Sequence, residues 1–241
     1  MRTTVAGKPG ASDRVRVWDL PLRVFHWTLL VLVAVAFITA LVGSKAMVWH
    51  GRAGVGIAGL LVFRLVWGIA GSTYARFAHF VRSPQAVRDY LAGRWEGIGH
   101  NPLGALSVLA MLAALAVQVA TGLAANDDIA FNGPLYPLVT HQLSNALTEL
   151  HEGNAWIVGT LIVLHIAAIA FYARIKKENL VLPMIRGWKV RRNVSETSHR
   201  GGGIVALIVA LTLALAAAWG ASGKWIPAPP PPPPGQTAPD F

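Results

Sequence analysis

Five apolar runs, each long enough to cross a bilayer, constrain this chain more than any other feature. They lie near residues 22–42, 49–70, 103–124, 155–172 and 204–219. Crossing about 30 Å of hydrocarbon takes roughly 20 residues of helix. In lipid every backbone N–H and C=O must be paired within the segment, so helices are the expected spanning form. Of the 241 residues, 54% are hydrophobic and 13% charged. A bundle of membrane helices needs that much apolar surface; a soluble domain of this length does not. The first run is too long, and its start too rich in Trp and His, for a cleaved signal peptide. The expected fold is an all-α integral membrane protein: a four-helix transmembrane bundle plus a fifth, C-terminal transmembrane helix.

Basic residues alternate between the connecting loops. Residues 1–24 hold Arg2, Lys8, Arg14, Arg16 and Arg23, residues 71–102 hold Arg76, Arg82, Arg88 and Arg94, and residues 173–202 hold eight Lys and Arg. By contrast, residues 43–48 hold Lys45 alone, and 125–150 hold none, with Asp127, Asp128 and Glu149 instead. Basic loops stay in the cytoplasm, which puts the N-terminus inside and, after five spans, the C-terminus outside. The net charge of +10 is therefore a signal of orientation and not of nucleic-acid binding. From Pro227 the tail reads PAPPPPPPGQTAPDF, an extended polyproline-II segment without a core. It is either a loose end or a docking strand for an external partner.

The chain has no cysteine. That excludes disulfides, thiolate-bound zinc, iron–sulfur clusters and covalent c-type haem. A redox cofactor here would be held by His, Met or another non-thiol group. Eight histidines are present, and four of them, His26, His50, His151 and His165, lie in or at the mouths of the apolar runs. His151, just ahead of the fourth run, and His165 within it are 14 residues apart. At about 100° and 1.5 Å per residue, that returns to nearly the same helix face roughly 21 Å further along. The charge-based topology places His50 and His151 on the outer side, and His26 and His165 on the cytoplasmic side.

Histidine is a common ligand for haem iron, and ionisable groups inside a membrane are functional candidates. Two imidazoles from different helices, facing each other across a macrocycle, give a bis-histidine haem suited to outer-sphere electron transfer. The spacing predicts two non-covalent b-type haems, one between His50 and His151 and one between His26 and His165. A bare zinc or copper ion would want three or four convergent ligands. The non-redox alternative is a haem-free transporter or scaffold whose histidines relay protons. His26 lies closer to its flanking base than His165 does, so His100 is held as the back-up inner ligand and His141 as the outer one.

Arg64 repeats the 14-residue offset, now from His50, and should share that ligand's face at the level of the inner haem. An arginine at that depth needs a partner: either a haem propionate or, by snorkelling, the headgroups. Lys45 and Arg52 are candidates for the outer propionates. Gly54, one turn from His50, would let a flat macrocycle approach the backbone, although small residues also serve close helix packing. Gln118 and Thr121, polar at membrane depth, are read mainly as interhelical hydrogen-bonding groups.

Together, VWDLPLRVFHW, HGRAGVG, GHNPLGAL, the LHE…LH pair and KKENLVLPMIRG resemble bacterial cytochrome b561. That group is related to the b-type cytochrome subunits of nickel–iron hydrogenases and formate dehydrogenases, and the resemblance spans about residues 15–190. It implies two b haems, quinone chemistry and residence in the bacterial inner membrane, with a ligand set that falls on His26, His50, His151 and His165. The expected domains are a cytoplasmic segment (1–20), a dihaem membrane domain (21–190), a basic linker with the fifth helix (191–222) and a proline-rich external tail (223–241). The expected role is electron transfer between the quinone pool and a periplasmic cytochrome c, an iron–sulfur subunit or another membrane redox partner, with membrane lipid around it and homodimerisation open. Two variants within the resemblance are an anchor subunit of a hydrogenase or dehydrogenase and a superoxide:quinone oxidoreductase. No sequence signature marks a separate catalytic domain.

Overall fold

The computed structural model describes residues 13–81, 83–94, 101–191 and 201–227. The back-up ligand His100, most of the N-terminal segment and the proline-rich run from residue 228 lie outside the described residues. Among the described residues five helices are long and apolar enough to cross a membrane.

The first of them, α1 (Leu20–Val42), begins where the Asp19 carboxylate accepts the Leu22 N–H at 2.7 Å, with proline in the first turn. The missing proline N–H costs nothing there, and the cap satisfies one orphan donor. Gly43, at φ 66°, ends the helix and starts a 3₁₀ turn, Ser44–Ala46, that feeds directly into α2 (Met47–Ala70). Two short helices follow, α3 (Phe77–Phe80) and α4 (Pro84–Leu91). Asn101 then caps α5 (Pro102–Gly122) by accepting the Gly104 N–H at 2.7 Å.

The next span, α6, runs from His141 to Arg174, 34 residues. The apolar run alone places its start near residue 155, with His151 ahead of the span. Instead Thr140 caps the helix, and His151 lies well inside it. The polar turns from His141 onward hide the true start from hydropathy. At 1.5 Å per residue α6 is about 50 Å long, well beyond the hydrocarbon thickness, so it projects from the bilayer.

After α6 come α7 (Val181–Arg186) and Gly187, which has φ 88°. A second departure follows: β2 (Trp188–Arg191) pairs antiparallel with β1 (Asp13–Arg16). The apolar patterning predicts no strands. The Gly187 carbonyl accepts the N–H groups of Val17 and Trp18 at 2.9 and 3.1 Å, tying the ribbon to the end of the bundle where α1 starts. This is the inner end of the bundle, and the opposite end is the outer one. The chain closes with α8 (Gly203–Ala221).

Within the bundle α2 packs along α1 and α8 and touches α5, while α5 packs along α6. Midway along the spans Ile57, Leu61, Ala114, Leu115 and Val158 form a buried layer that joins α2, α5 and α6. At the inner end Leu22, Phe25, Phe63, Trp67, Ala75 and Ala210 form a second. The α8 seam depends on a missing side chain: a Cβ at Gly59 would lie 2.9 Å from the Ala214 carbonyl oxygen. Close approach through small residues is how membrane helices associate. Large apolar side chains face outward, among them Leu41 at 87% and Trp156 at 82% exposure, as lipid contact requires.

Candidate functional site: two histidine levels in the bundle

At the outer level, α2 and α6 bring His50 and His151 together with ring centroids 5.9 Å apart and planes at 81°. His50 Nδ1 lies 2.9 Å from the Ala36 carbonyl oxygen on α1. A carbonyl can only accept, so Nδ1 carries the proton and Nε2 keeps its lone pair. His151 follows the same rule, with Nδ1 2.9 Å from the Gln118 carbonyl oxygen. Histidines that ligate metals are oriented in this way, by a bond from the nitrogen that does not ligate.

Three further groups hold His151 in place. The Gln118 amide donates to its Nε2 at 3.1 Å, a bond that a metal ligated there would displace. Asn154 Nδ2 fixes that amide by donating to Gln118 Oε1 at 2.6 Å and to the Ala114 carbonyl at 2.9 Å. Thr121 Oγ1 stands 3.4 Å from Nδ1. Gln118 and Thr121 thus make the interhelical bonds expected of them. Gly122 supplies the room, since a Cβ there would lie 2.5 Å from His151 Cε1. Asn154 and Gly122 escape sequence reasoning: a buried Asn and one more helical Gly have no spacing signal of their own.

The glycines of α2 divide by role. A Cβ at Gly56 would meet Leu32 at 2.8 Å, whereas one at Gly54 would meet nothing within 4 Å. Gly54 therefore opens on free space one turn from His50, which is what a flat ligand needs. Arg52 is exposed with its guanidinium 4.8 Å above the Trp49 ring, and Lys45 is exposed on the 3₁₀ turn.

At the inner level, His26 on α1 and His165 on α6 are both half-buried and within electrostatic reach of one another. The His26 ring meets Trp27 edge-on at 5.3 Å. Its Nδ1 is buried and has no hydrogen-bond partner among the described residues. Arg64 does not snorkel: it is 2% exposed, with its guanidinium 4.5 Å from the Phe77 ring centroid and 5.7 Å from that of Phe80. Its Nη1 likewise lacks a partner among the described residues. Buried polar atoms are normally paired, and a guanidinium nitrogen can only donate, so the Arg64 orphan indicates a place for an acceptor-bearing group.

His141, the back-up outer ligand, instead opens α6 and meets Asp128 Oδ1 at 3.2 Å. Among the described residues no group of three or more His, Cys, Asp or Glu converges as a bare metal ion would require. The donor set is two pairs of imidazoles from separate spans with an apolar layer between them. It fits bis-histidine haem at the outer level, and the inner level offers the same donor type from α1 and α6.

A family model described as prokaryotic cytochrome b561 matches residues 17–187. The probable Ni/Fe-hydrogenase 1 B-type cytochrome subunit of Escherichia coli K12 is 19% identical over 212 residues, covering 72% of this chain and 89% of that protein. Its counterpart in Escherichia coli O157:H7 gives the same figures. No solved structure matches. The helix α8 lies beyond the matched stretch. Across that stretch, with its membrane helices and paired histidines, the chain belongs to the prokaryotic cytochrome b561 family, multi-pass membrane cytochromes of b type that serve electron transfer.

Proposed function

We propose that this chain carries electrons across the bacterial inner membrane through two b haems, exchanging them with the quinone pool and a redox partner. The outer haem is held by His50 and His151, the inner one by His26 and His165. The observation that carries the reading is the outer pair: two rings from separate spans, 5.9 Å apart, each with Nδ1 bound to a backbone carbonyl.

A b haem held between such imidazoles would supply one-electron Fe(III)/Fe(II) exchange. The protein's share is position and electrostatics. Ala36 and Gln118 set the tautomers, Gly54 leaves clearance, and Arg64 offers a buried donor for an inner propionate. Lys45 and Arg52 serve the outer propionates from the surface. His151 and His165, 14 residues apart and so about 21 Å along α6, hold the two levels in one rigid rod. The apolar layer around Ile57 and Val158 keeps water from between them. Quinone exchange is assigned to the basic inner face, where protons are at hand. The N-terminus is cytoplasmic and the C-terminus periplasmic, with residues 21–190 as the dihaem domain, 191–222 as linker and fifth helix, and 223–241 as an external tail.

The test is the haem-to-polypeptide ratio of the purified chain and of His26→Ala, His50→Ala, His151→Ala and His165→Ala. The wild type should hold two haems and each variant one. His50→Ala and His151→Ala should lose the same spectral component, and His26→Ala and His165→Ala the other. Wild-type protein without a reduced-minus-oxidised b-type spectrum would overturn the reading, as would losses that cross the pairs. Similarity to a hydrogenase cytochrome subunit favours one refinement, an anchor that delivers electrons for a larger metalloenzyme. Copurification of such an enzyme from native membranes supports it, and a chain that purifies without a partner rejects it.

A further inference from the structure

Asp19 has no part in the function above, yet it is buried at 9% exposure at the inner end of the bundle. Its Oδ1 accepts the Leu22 N–H at 2.7 Å. Its Oδ2 accepts the Trp67 indole N–H at 3.0 Å and the Ser72 hydroxyl. Backbone and indole N–H groups can only donate, so both carboxyl oxygens are engaged as acceptors. This is the environment of a fixed anion.

Arg64 lies three residues before Trp67, one turn toward the bundle centre on α2. It is enclosed by Phe77 and Phe80 and retains an unpartnered Nη1 among the described residues. Asp19 acts on it electrostatically, but no ion pair joins them among the described residues. Asp19 spends its oxygens on Leu22, Trp67 and Ser72, so it compensates the guanidinium charge from a distance and leaves the donor free. His26 follows Asp19 by seven residues on α1, two turns or about 10 Å toward the bundle centre.

We propose that Asp19 is the fixed counter-charge of Arg64, and that the pair sets the reduction potential of the inner haem. The assignment rests on the two-haem reading above. A buried cation beside the iron favours the ferrous state, and a buried anion opposes it. Both charges are buried, Arg64 against Phe77 and Phe80 and Asp19 against the Trp67 indole, so screening there is weak compared with water. The outer level, about 21 Å away along α6, should feel little of either.

The experiment is a potentiometric titration of the full chain in lipid nanodiscs, following each haem by its optical band. Asp19→Asn should raise the inner midpoint by about tenfold in the one-electron equilibrium, ~59 mV. Arg64→Gln should lower it by a similar amount, and the double variant should fall near wild type. Ser72→Ala, which keeps the charge and removes one donor, should lower the same potential slightly. Should Arg64→Gln lose the inner haem, opposite shifts in Asp19→Asn and Ser72→Ala support the proposal. With both haems present in the wild type, unchanged potentials, shifts of one sign, or equal shifts at both haems would overturn it. A wild type holding fewer than two haems would sink the two-haem reading first, and this assignment with it.

Discussion

The two histidine levels are built on opposite plans. The outer pair is settled by protein alone: both Nδ1 atoms end on carbonyls, and Gln118, Asn154 and Thr121 form a closed hydrogen-bonded set around His151. The inner pair is left open. His26 Nδ1 and Arg64 Nη1 are buried without partners among the described residues, and the polar order nearby belongs to Asp19, two turns away. A prearranged site fixes ligand geometry before binding, whereas a site with orphaned donors relies on the bound group to satisfy them. The outer level should therefore lose its cofactor through small steric changes, and the inner level should respond mainly to charge.

The largest break in that contrast should come from Gly122→Val. A Cβ at this position would already lie 2.5 Å from His151 Cε1 and 2.7 Å from Nδ1, and branching leaves the ring no seat against α5. Overpacking of this kind costs about 1–3 kcal/mol or forces a shift, and the ring is the part able to move. The expected outcome is loss of the outer haem with the inner one retained, read from the haem-to-polypeptide ratio and the surviving band. Loss of both haems would show that the levels are not independent, and loss of neither that the room at Gly122 does not seat the ring.

Gln118→Leu should act on the same side more gently. It removes the amide that occupies the lone pair of His151 Nε2 and leaves Asn154 with the Ala114 carbonyl, while the backbone bond to Nδ1 remains. An iron bound through Nε2 would have to displace that N–H, so its loss removes a competitor worth about 1 kcal/mol. Haem titration of the apoprotein should show a gain of about fivefold in affinity at the outer level and none at the inner.

How much of this was legible follows from the kind of signal each residue gives. The five spans announce themselves through apolar length, and each begins and ends within a few residues of expectation except α6, whose first turns are polar. The pairing of His50 with His151 followed from charge topology and a 14-residue spacing, both one-dimensional patterns, and the structure brings those rings together. Arg64 was legible as a buried cation in need of a partner, though not as one lying on Phe77 and Phe80, which arrive from a separate short helix. Asp19, which caps α1, has no signal of its own in the sequence. Its second role depends on Trp67 and Ser72, 48 and 53 residues away in the chain, and no local pattern encodes that. The β1–β2 ribbon was hidden for the same reason, since its strands have four residues each and lie far apart in sequence.

The smallest effect should appear in the turn that covers the outer level. Phe131 packs where a Gly51 Cβ would be, 3.1 Å from its Cζ, so the turn rests on α2 beside His50. Asp127 organises it by accepting the N–H groups of Ile129, Ala130 and Phe131 at 3.0, 2.8 and 2.8 Å. Slight burial pushes its carboxyl up, but those three donors outweigh it and hold the group below the ordinary aspartate value. A depressed carboxylate contributes stability that is fully present above its unfolded pKa and is lost as pH falls through the folded one. The turn should therefore be tight at neutral pH and loosen only below about pH 4. Because Asp127 is exposed, solvent screening keeps the gain under about 1 kcal/mol. Hydrogen exchange at the amides of Ile129, Ala130 and Phe131, corrected for intrinsic rates, should quicken on acidification, and Asp127→Asn should quicken it already at pH 7. The amides between His26 and Trp67 should be indifferent to both changes. If they quickened equally, the outer turn and the inner level would be opening as one unit.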